Sequence, residues 1–224
     1  MLEHLRFGFQ RPPVSVHRLD QDTSGCLLLA RNPKAMKRFQ QAFENRQVTK
    51  SYIGVVLGRP DGDKGTIDRP IDKVSTKESG WRMVIGEKGK PSVTHWRVLA
   101  EAEGRSLIWF YPETGRTHQI RVHASEGLGL PLIGDPVYGS IHTAPRLMLH
   151  ALSIKLERGD KPAVEATAPM PAIFGKIGFT PDMLDALLFA SPTSFSVWGV
   201  VTMWAVFVSA TIAIFRRHLR WRKW

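Results

Sequence analysis

Residues 17–25 read His17-Arg18-Leu19-Asp20-Gln21-Asp22-Thr23-Ser24-Gly25, between the strand-like stretches Val14–Val16 and Cys26–Ala30. A Thr-Ser-Gly sequence at this point is typical of a tight turn, so the pattern predicts that Asp20 is presented where two strands meet. Many aspartates in such turns only accept hydrogen bonds from backbone N–H groups. Local evidence therefore leaves two roles open for Asp20, a structural one and a catalytic one.

The segments that follow predict a strand and an amphipathic helix. Cys26–Ala30 is short, continuous and apolar, which indicates a buried strand. Asn32 and Pro33 suit the cap and the first position of a helix that ends near Gln47. Its apolar side chains recur at three- and four-residue spacing: Ala35, Met36, Phe39 and Phe43.

The middle of the chain is rich in segments with β-branched and aromatic residues. Strands are predicted at Val48–Leu57, Trp81–Ile85, Val93–Ala100, Leu107–Tyr111 and Leu147–Leu156. The segment Gly86–Pro91 is expected to join the second and third of these strands in an antiparallel meander. Arg116–Glu126 predicts a short helix closed by Gly127. Many strands with two or three helices indicate the α+β class.

Composition favours a polyanionic partner. The chain of 224 residues has 31 Lys and Arg against 20 Asp and Glu, a formal charge of +11 and a pI near 10.2. Such a charge suits RNA or an anionic membrane, and it does not separate the two. The single cysteine, Cys26, excludes an internal disulfide and fits a reducing compartment. Because the N-terminus has no signal-peptide pattern, we expect a cytoplasmic protein.

The C-terminal part differs in character from the rest. The Pro- and Ala-rich segment Pro162–Pro171 is expected to end the enzyme core, and residues 1–190 form the predicted catalytic domain. Ser194–Phe215 has no charged residue over about 22 positions, the length that a membrane-spanning helix needs. Five Lys and Arg follow in residues 216–224. Residues 191–224 thus predict a membrane anchor, although the Ser and Thr residues leave a buried or interfacial helix open.

Three further segments follow the Asp20 turn in a set order. They are Lys50-Ser51-Tyr52-Ile53-Gly54-Val55-Val56-Leu57-Gly58, Thr114-Gly115-Arg116-Thr117-His118-Gln119-Ile120-Arg121-Val122-His123 and Pro131-Leu132-Ile133-Gly134-Asp135-Pro136-Val137-Tyr138-Gly139. With Pro145-Arg146-Leu147-Met148-Leu149-His150-Ala151, this set resembles the RluA-type pseudouridine synthases over roughly residues 12 to 170. The resemblance implies a pseudouridine synthase fold, a mixed and mostly antiparallel sheet with a few flanking helices.

The resemblance also implies an enzyme that isomerises specific uridines to pseudouridine in structured RNA, with rRNA favoured and tRNA next. Asp20 stands at the family's essential aspartate, Tyr52 at the aromatic that stacks on uracil, and Arg121 at the basic partner of the aspartate. Arg18 corresponds to the residue that fills the space left by the flipped base. Substrate binding is assigned to Arg18, Arg116, His118 and Gln119.

The reaction explains why these residue types are needed. Breaking the N-glycosidic bond, rotating the uracil and joining its C5 to the sugar requires no redox change and no external group, so no cofactor is expected. A carboxylate can assist as a nucleophile or as a base on the sugar, and the sequence does not choose between the two. A carboxylate shielded from water needs a cation to keep its charge, which Arg121 can supply.

The histidines of the quoted segments are expected to support the site through hydrogen bonds. They are His17, His118, His123 and His150. Neither a Cys-x-x-Cys nor a His-Glu-x-x-His pattern accompanies them, so no metal site is expected.

Two departures from the family pattern keep alternatives open. Asp20 is preceded by only 19 residues, so the N-terminal part of the family fold is expected to be missing, and the hydrophobic C-terminal segment is additional. One alternative is an inactive or weakly active RNA-binding remnant. Another is a membrane-tethered interaction module held by residues 194–215. The retained catalytic set favours the enzyme, because a groove that only binds phosphate has no need of a carboxylate. The enzyme is expected to be a monomer.

Overall fold

The computed structural model describes residues 5–6, 10–76, 80–184 and 210–215. The strands are β1 Val14–Ser15, β2 Ser24–Ala30, β3 Val48–Leu57, β4 Lys64–Asp68, β5 Ile71–Thr76, β6 Gly80–Ile85, β7 Val93–Ala102, β8 Arg105–Pro112, β9 Leu149–Arg158, β10 Lys161–Thr167 and β11 Ala210–Phe215. Helical elements include α1 Pro33–Glu44, α2 Gln119–Val122, α3 Ala172–Gly175, a π-helical turn at His123–Gly127 and a 3-10 turn at Ile141–Thr143.

One large sheet contains nine of these strands. Its order is β1-β2-β9-β3-β8-β7-β4, with β10 beside β9 and β11 beside β2. The pairings are antiparallel except between β2 and β9, where Ser24 and Gly25 run parallel to His150 and Ala151. β5 and β6 form a separate two-stranded sheet. The predicted α+β class, with a mixed and mostly antiparallel sheet, is confirmed.

Both faces of the large sheet are covered, because side chains along its central strands alternate between two apolar layers. On one face, Ile53 and Val55 of β3 pack with Phe174 of α3. On the other face, Val56 packs in a cluster with Ile120 of α2. α1 belongs to a third cluster, which includes apolar residues of β2 and β9. This packing fixes α2, which carries several of the candidate site residues, against the sheet.

The first helix and the strands on either side of it match the sequence prediction. The Asn32 side chain caps α1 by accepting a backbone hydrogen bond at 2.8 Å, and Pro33 takes the first position. α1 ends at Glu44 rather than near Gln47, because the chain turns at Arg46, whose φ of 56° is left-handed. The strands predicted at the positions of β2 and β3 are confirmed.

The predicted meander is wrong at its first strand. β6 pairs with β5 rather than with β7, and the Gly86–Pro91 segment folds back on Ile71. A Cβ atom on Gly89 would lie 2.4 Å from the carbonyl carbon of Ile71, so this close backbone approach requires glycine. The Pro- and Ala-rich segment expected to end the core contains most of β10, which pairs with β9.

The helix predicted at Arg116–Glu126 is shorter than expected. Residues 116–118 form a turn, because His118 has a left-handed φ of 54° immediately before α2. α2 is one turn long and continues into the π-helical turn, which ends at Gly127 as the sequence predicts. The Thr114–His118 segment is consequently a loop beside the sheet.

The hydrophobic C-terminal segment is described only at its end. The helix predicted over Ser194–Phe215 is wrong at its end, because Ala210–Phe215 form the strand β11, which pairs antiparallel with β2 between Ala30 and Gly25. The rest of the predicted anchor, residues 194–209, and the basic residues 216–224 lie outside the described residues. Within the described ranges, none of the helices has both the length and the apolar character needed to cross a bilayer. Membrane attachment and a domain boundary near residue 190 stay predictions.

Candidate active site

The turn that carries Asp20 is fastened to β2 by hydrogen bonds. The Thr23 N–H donates to the Asp20 carbonyl at 3.1 Å, which closes the turn. Before the turn, Nε2 of His17 accepts a hydrogen bond from the Leu28 N–H at 3.0 Å. This acceptor role requires a neutral imidazole. The backbone on both sides of Asp20 is therefore held in place by contacts that do not use its carboxylate.

A crowded crossing with β9 also fixes this turn. Gly25 has a φ of 112°, and a Cβ atom there would lie 2.1 Å from the Ala151 carbonyl oxygen, so glycine is required. The Ser24 hydroxyl and Nδ1 of His150 share a hydrogen bond of 2.8 Å. The Arg146 guanidinium donates to a backbone carbonyl of the same turn. These contacts set the position of Asp20 relative to β9.

A cleft opens beside the Asp20 turn. Its apolar lining includes Tyr52, Pro112, Ile120 and Leu149. Its charged and polar lining includes Arg18, Asp20, Lys50, Thr114, Arg116 and Gln119. Asp20 and Tyr52 are both partly buried. The cleft therefore suits a flat, mostly apolar ring whose attached groups are polar or anionic.

The Asp20 carboxylate acts electrostatically on side chains from β3 and from the segment around α2. Burial, with a further contribution from the Asp20 charge, raises the pKa of Tyr52 well above its ordinary value. Burial lowers the pKa of His118, although the Asp20 charge opposes this effect, and the same charge helps to raise the pKa of Arg121. Within the described residues, no side chain makes a hydrogen bond or an ion pair with this carboxylate. Asp20 is thus placed to act on a ligand in the cleft.

The direct partner of Arg121 is Asp135 rather than Asp20. Nε and Nη2 of Arg121 donate to the two carboxylate oxygens of Asp135, each at 2.7 Å, and the two side chains are 4% and 0% exposed. Asp135 also accepts hydrogen bonds from the Val137 and Tyr138 N–H groups. Burial opposes both charges, but the hydrogen bonds and charge of the pair outweigh it, raising the pKa of Arg121 and lowering that of Asp135.

His118 contacts Tyr138, which neighbours this ion pair, and is not one of the residues that line the cleft. Its Nδ1 is 2.8 Å from the Tyr138 hydroxyl, and its ring stacks on Trp81 with a centroid distance of 5.4 Å. The Met83 N–H donates to the same hydroxyl at 3.0 Å, and the Tyr138 ring lies 5.1 Å from the Arg121 guanidinium carbon. His118 therefore connects β6 to the ion pair, and the substrate contact predicted for it stays a prediction.

Gln119 lines the cleft, but its amide is engaged within the protein. Its Oε1 accepts hydrogen bonds from the Thr114 hydroxyl at 2.8 Å and the Arg116 N–H at 3.0 Å. Its Nε2 donates to the Val93 carbonyl at 2.9 Å and the Thr94 hydroxyl at 3.0 Å. These four bonds use the donors and acceptors of the amide. They favour a role for Gln119 in shaping the loop that presents Arg116, instead of the predicted substrate contact.

Two charged residues of the site were not selected from the sequence, Lys50 and Asp135. Both stand inside the quoted motifs, so the signal was present. Their importance depends on contacts between distant parts of the chain, since Lys50 donates to the Thr114 carbonyl at 3.3 Å and Asp135 pairs with Arg121. Linear spacing does not show such contacts.

The four histidines singled out in the sequence all make hydrogen bonds, as predicted. Besides the bonds of His17, His118 and His150 given above, His123 contacts the Thr94 hydroxyl at 2.9 Å and the Arg69 carbonyl at 3.0 Å. His123 and His150 are 0% and 2% exposed. These residues therefore join the loop before α2 and the Asp20 turn to the sheet.

We expect the protein to lose stability as the pH falls from about 6.5 towards 4, because of His17 and His150. Burial is the main cause that lowers the pKa of each imidazole to about 4 from an ordinary 6.5. The unfolded chain binds these protons first, so stability present above pH 6.5 declines below it, by up to about 3 kcal/mol for each group.

Urea unfolding measured between about pH 7 and pH 4.5 checks this expectation. His17→Gln keeps an acceptor for the Leu28 N–H but does not titrate, so it should flatten the pH dependence. The matched control is His142→Gln, at an exposed position. An equal pH dependence in wild type and His17→Gln would show that His17 is not the titrating group.

Comparison with known families gives one consistent result. A family profile described as RNA pseudouridylate synthase matches residues 2–126. A protein of Zymomonas mobilis, described as an uncharacterized RNA pseudouridine synthase, is 54% identical over 180 residues, which cover 80% of this chain and 82% of the relative. Ribosomal large subunit pseudouridine synthase D of Escherichia coli is 38% identical over 163 residues, covering 70% of this chain and 49% of that protein.

A solved structure agrees with the sequence comparison. Human RNA pseudouridylate synthase domain containing 1 superposes with a TM-score of 0.68 at 32% identity, and the match covers 85% of both chains. The present chain spans about half the length of the Escherichia coli relative and most of the length of the Zymomonas protein.

Proposed function

We propose that this protein isomerises specific uridines in structured RNA to pseudouridine, with rRNA as the favoured substrate and tRNA next. The premise is that the chain belongs to the RNA pseudouridylate synthase family. The observation that carries the proposal is the cleft, in which Asp20 lies beside an aromatic ring and two arginines. The name of the Escherichia coli relative, a ribosomal large subunit enzyme, supports rRNA. The formal charge of +11 suits either RNA.

Asp20 is the proposed catalytic residue. The reaction breaks the bond between C1′ and N1, turns the uracil, and forms a bond from C5 to C1′. The C5 proton leaves and N1 gains a proton, so the product is an isomer of the substrate. An ionised carboxylate without a protein partner can attack C1′ as a nucleophile or remove a proton from the sugar. Both roles use the same ionised form of Asp20.

Tyr52 is proposed to hold the uracil by stacking. It lines the apolar part of the cleft, and the raised pKa of its hydroxyl keeps the phenol protonated near neutral pH. Because the pKa is raised, almost no phenolate is present near neutral pH to act as a base. Stacking, instead of removal of the C5 proton, is therefore the main contribution proposed for this residue.

Arg18 is proposed to stabilise the RNA from which the target base has been flipped. Flipping a base costs a few kcal/mol, which a side chain can offset by occupying the vacated stack. Arg18 lies two residues before Asp20 and lines the cleft, so its guanidinium can reach a bound RNA. Arg116 also lines the cleft and is proposed to contact the bound substrate.

Tritium release tests the proposed activity. Wild-type protein is incubated with unmodified transcripts of 23S rRNA and of tRNA that carry uridine tritiated at C5. We expect release of tritium into water, greater for 23S rRNA, because the C5 proton is lost when the new bond forms. The control is the same RNA tritiated at C6, which should keep its label. Binding of both RNAs without release from either would support the RNA-binding remnant instead.

A further inference from the structure

Lys50 shares one face of β3 with Tyr52. The two residues are two positions apart, so their Cα atoms are separated by about 7 Å along the strand. Between them, Ser51 is buried, and its hydroxyl lies 2.6 Å from the Ser153 hydroxyl of β9. Both Lys50 and Tyr52 line the cleft. A nucleotide whose base stacks on Tyr52 would therefore have its sugar and phosphate within reach of the Lys50 ammonium.

The Lys50 ammonium is poorly compensated within the protein. Its Nζ donates one hydrogen bond, to the Thr114 carbonyl at 3.3 Å, and lies 6.0 Å from the centroid of the Phe43 ring. An ammonium has three donors, so two have no acceptor among the described residues. Burial lowers the pKa of Lys50 to about 8, and Asp20, the carboxylate in the same cleft lining, makes no ion pair with it.

A partly buried cation in this setting is stabilised when an anion binds beside it. Buried charges in proteins are generally paired, since a carbonyl contact does not replace the lost hydration of an ammonium. An apolar side chain would fill the position on β3 without this cost. Gly115 lies close to the ammonium, since a Cβ atom there would be 3.3 Å from Nζ. The site therefore fits an anionic ligand that arrives with the substrate.

We propose that Lys50 binds the backbone phosphate attached to the nucleotide whose base stacks on Tyr52. The inference rests on the proposed function, under which the substrate is RNA and its anions are phosphates. Lysine binds phosphate as a point charge and needs no fixed bidentate geometry. By binding the phosphate of the nucleotide, Lys50 fixes the position of the sugar relative to Asp20, while Tyr52 holds the base.

Nuclear magnetic resonance titrations with uridine and uridine 5′-monophosphate test this at the level of one nucleotide. Wild-type protein should prefer the monophosphate by about tenfold or more, the effect of one charge-assisted contact. Lys50→Met should lose most of this preference and keep its weak affinity for uridine. The matched control is Lys64→Met, which removes one exposed charge on β4 and should retain the preference.

A pH series provides a second readout. Between about pH 7 and pH 9, the wild-type preference for the monophosphate should fall as Lys50 loses its proton. Around Lys50, His17 is already neutral, because burial lowers its pKa to about 4, and the raised pKa of Tyr52 keeps its phenol neutral. The remaining charged groups of the cleft lining are Arg18, Asp20 and Arg116. Lys50→Arg, whose cation does not titrate, should keep a preference that is independent of pH.

Three outcomes would overturn the assignment of Lys50. They are equal affinities of wild type for the two ligands, an undiminished preference in Lys50→Met, and an identical pH dependence in wild type and Lys50→Arg. Tritium release by the wild type is measured separately and reports on the proposed function. Tritium release without a preference for the monophosphate would disprove only the role of Lys50. A Lys50-dependent preference without tritium release would disprove only the proposed function.

Discussion

Asp20→Asn is expected to lower the rate of tritium release from C5-labelled 23S rRNA by about a thousandfold or more, while RNA affinity stays within a few-fold of wild type. Asparagine has nearly the shape of aspartate but is neither a nucleophile nor a base. The carboxylate is not needed for binding, because RNA phosphates repel it. Release and binding are measured on the same RNA preparation.

The matched control for this variant is Asp22→Asn, in the same turn. Asp22 has a left-handed φ of 69°, a conformation that asparagine tolerates well. We expect Asp22→Asn to keep near-normal activity. Near-normal turnover by Asp20→Asn would exclude the carboxylate mechanism, and an equal loss in both variants would assign the effect to the shape of the turn. Thermal melting of both proteins checks that the fold is intact.

Local patterns in the sequence were sufficient where neighbouring residues determine the structure. The cap at Asn32, the apolar spacing of α1, the continuous apolar run of β2 and the β-branched and aromatic residues of β3 predicted these elements correctly. The β5–β6 pairing was missed because the prediction joined β6 to β7 through Gly86–Pro91, whereas Gly89 in that segment packs against Ile71 of β5. β10 was missed because Pro162 and the alanines after it do not resemble a strand, although pairing with β9 makes one.

The same distinction applies to the candidate site. The turn pattern and the ordered motifs selected Asp20 and Tyr52, which both line the cleft, while their catalytic roles stay predictions. The partner of Arg121 could not be read from spacing, since Asp135 lies in a different motif and meets it only after α2 packs on the sheet. The saturated amide of Gln119 is likewise a property of four tertiary contacts, not of its place in a motif.

Arg121→Met is expected to destabilise the protein by about 3 to 5 kcal/mol, because it leaves the buried charge of Asp135 without a partner. Methionine keeps much of the volume of the arginine stem, so the loss reports mainly on charge. Activity should fall as well, since the positive charge of Arg121 interacts with the Asp20 charge. Arg116→Met, which removes a partly buried cation from the loop, should melt close to wild type.

The double variant Arg121→Met/Asp135→Asn separates folding from catalysis. Removing both charges abolishes the uncompensated carboxylate, and the side-chain oxygen of the introduced asparagine can still accept the hydrogen bonds of the Val137 and Tyr138 N–H groups. Most of the lost stability should therefore return, as measured by urea unfolding. Activity should stay low, because the Arg121 charge is still missing. Recovery of both activity and stability in the double variant would show that Arg121 serves only the fold. Wild-type melting of Arg121→Met would show that the buried ion pair does not stabilise the protein.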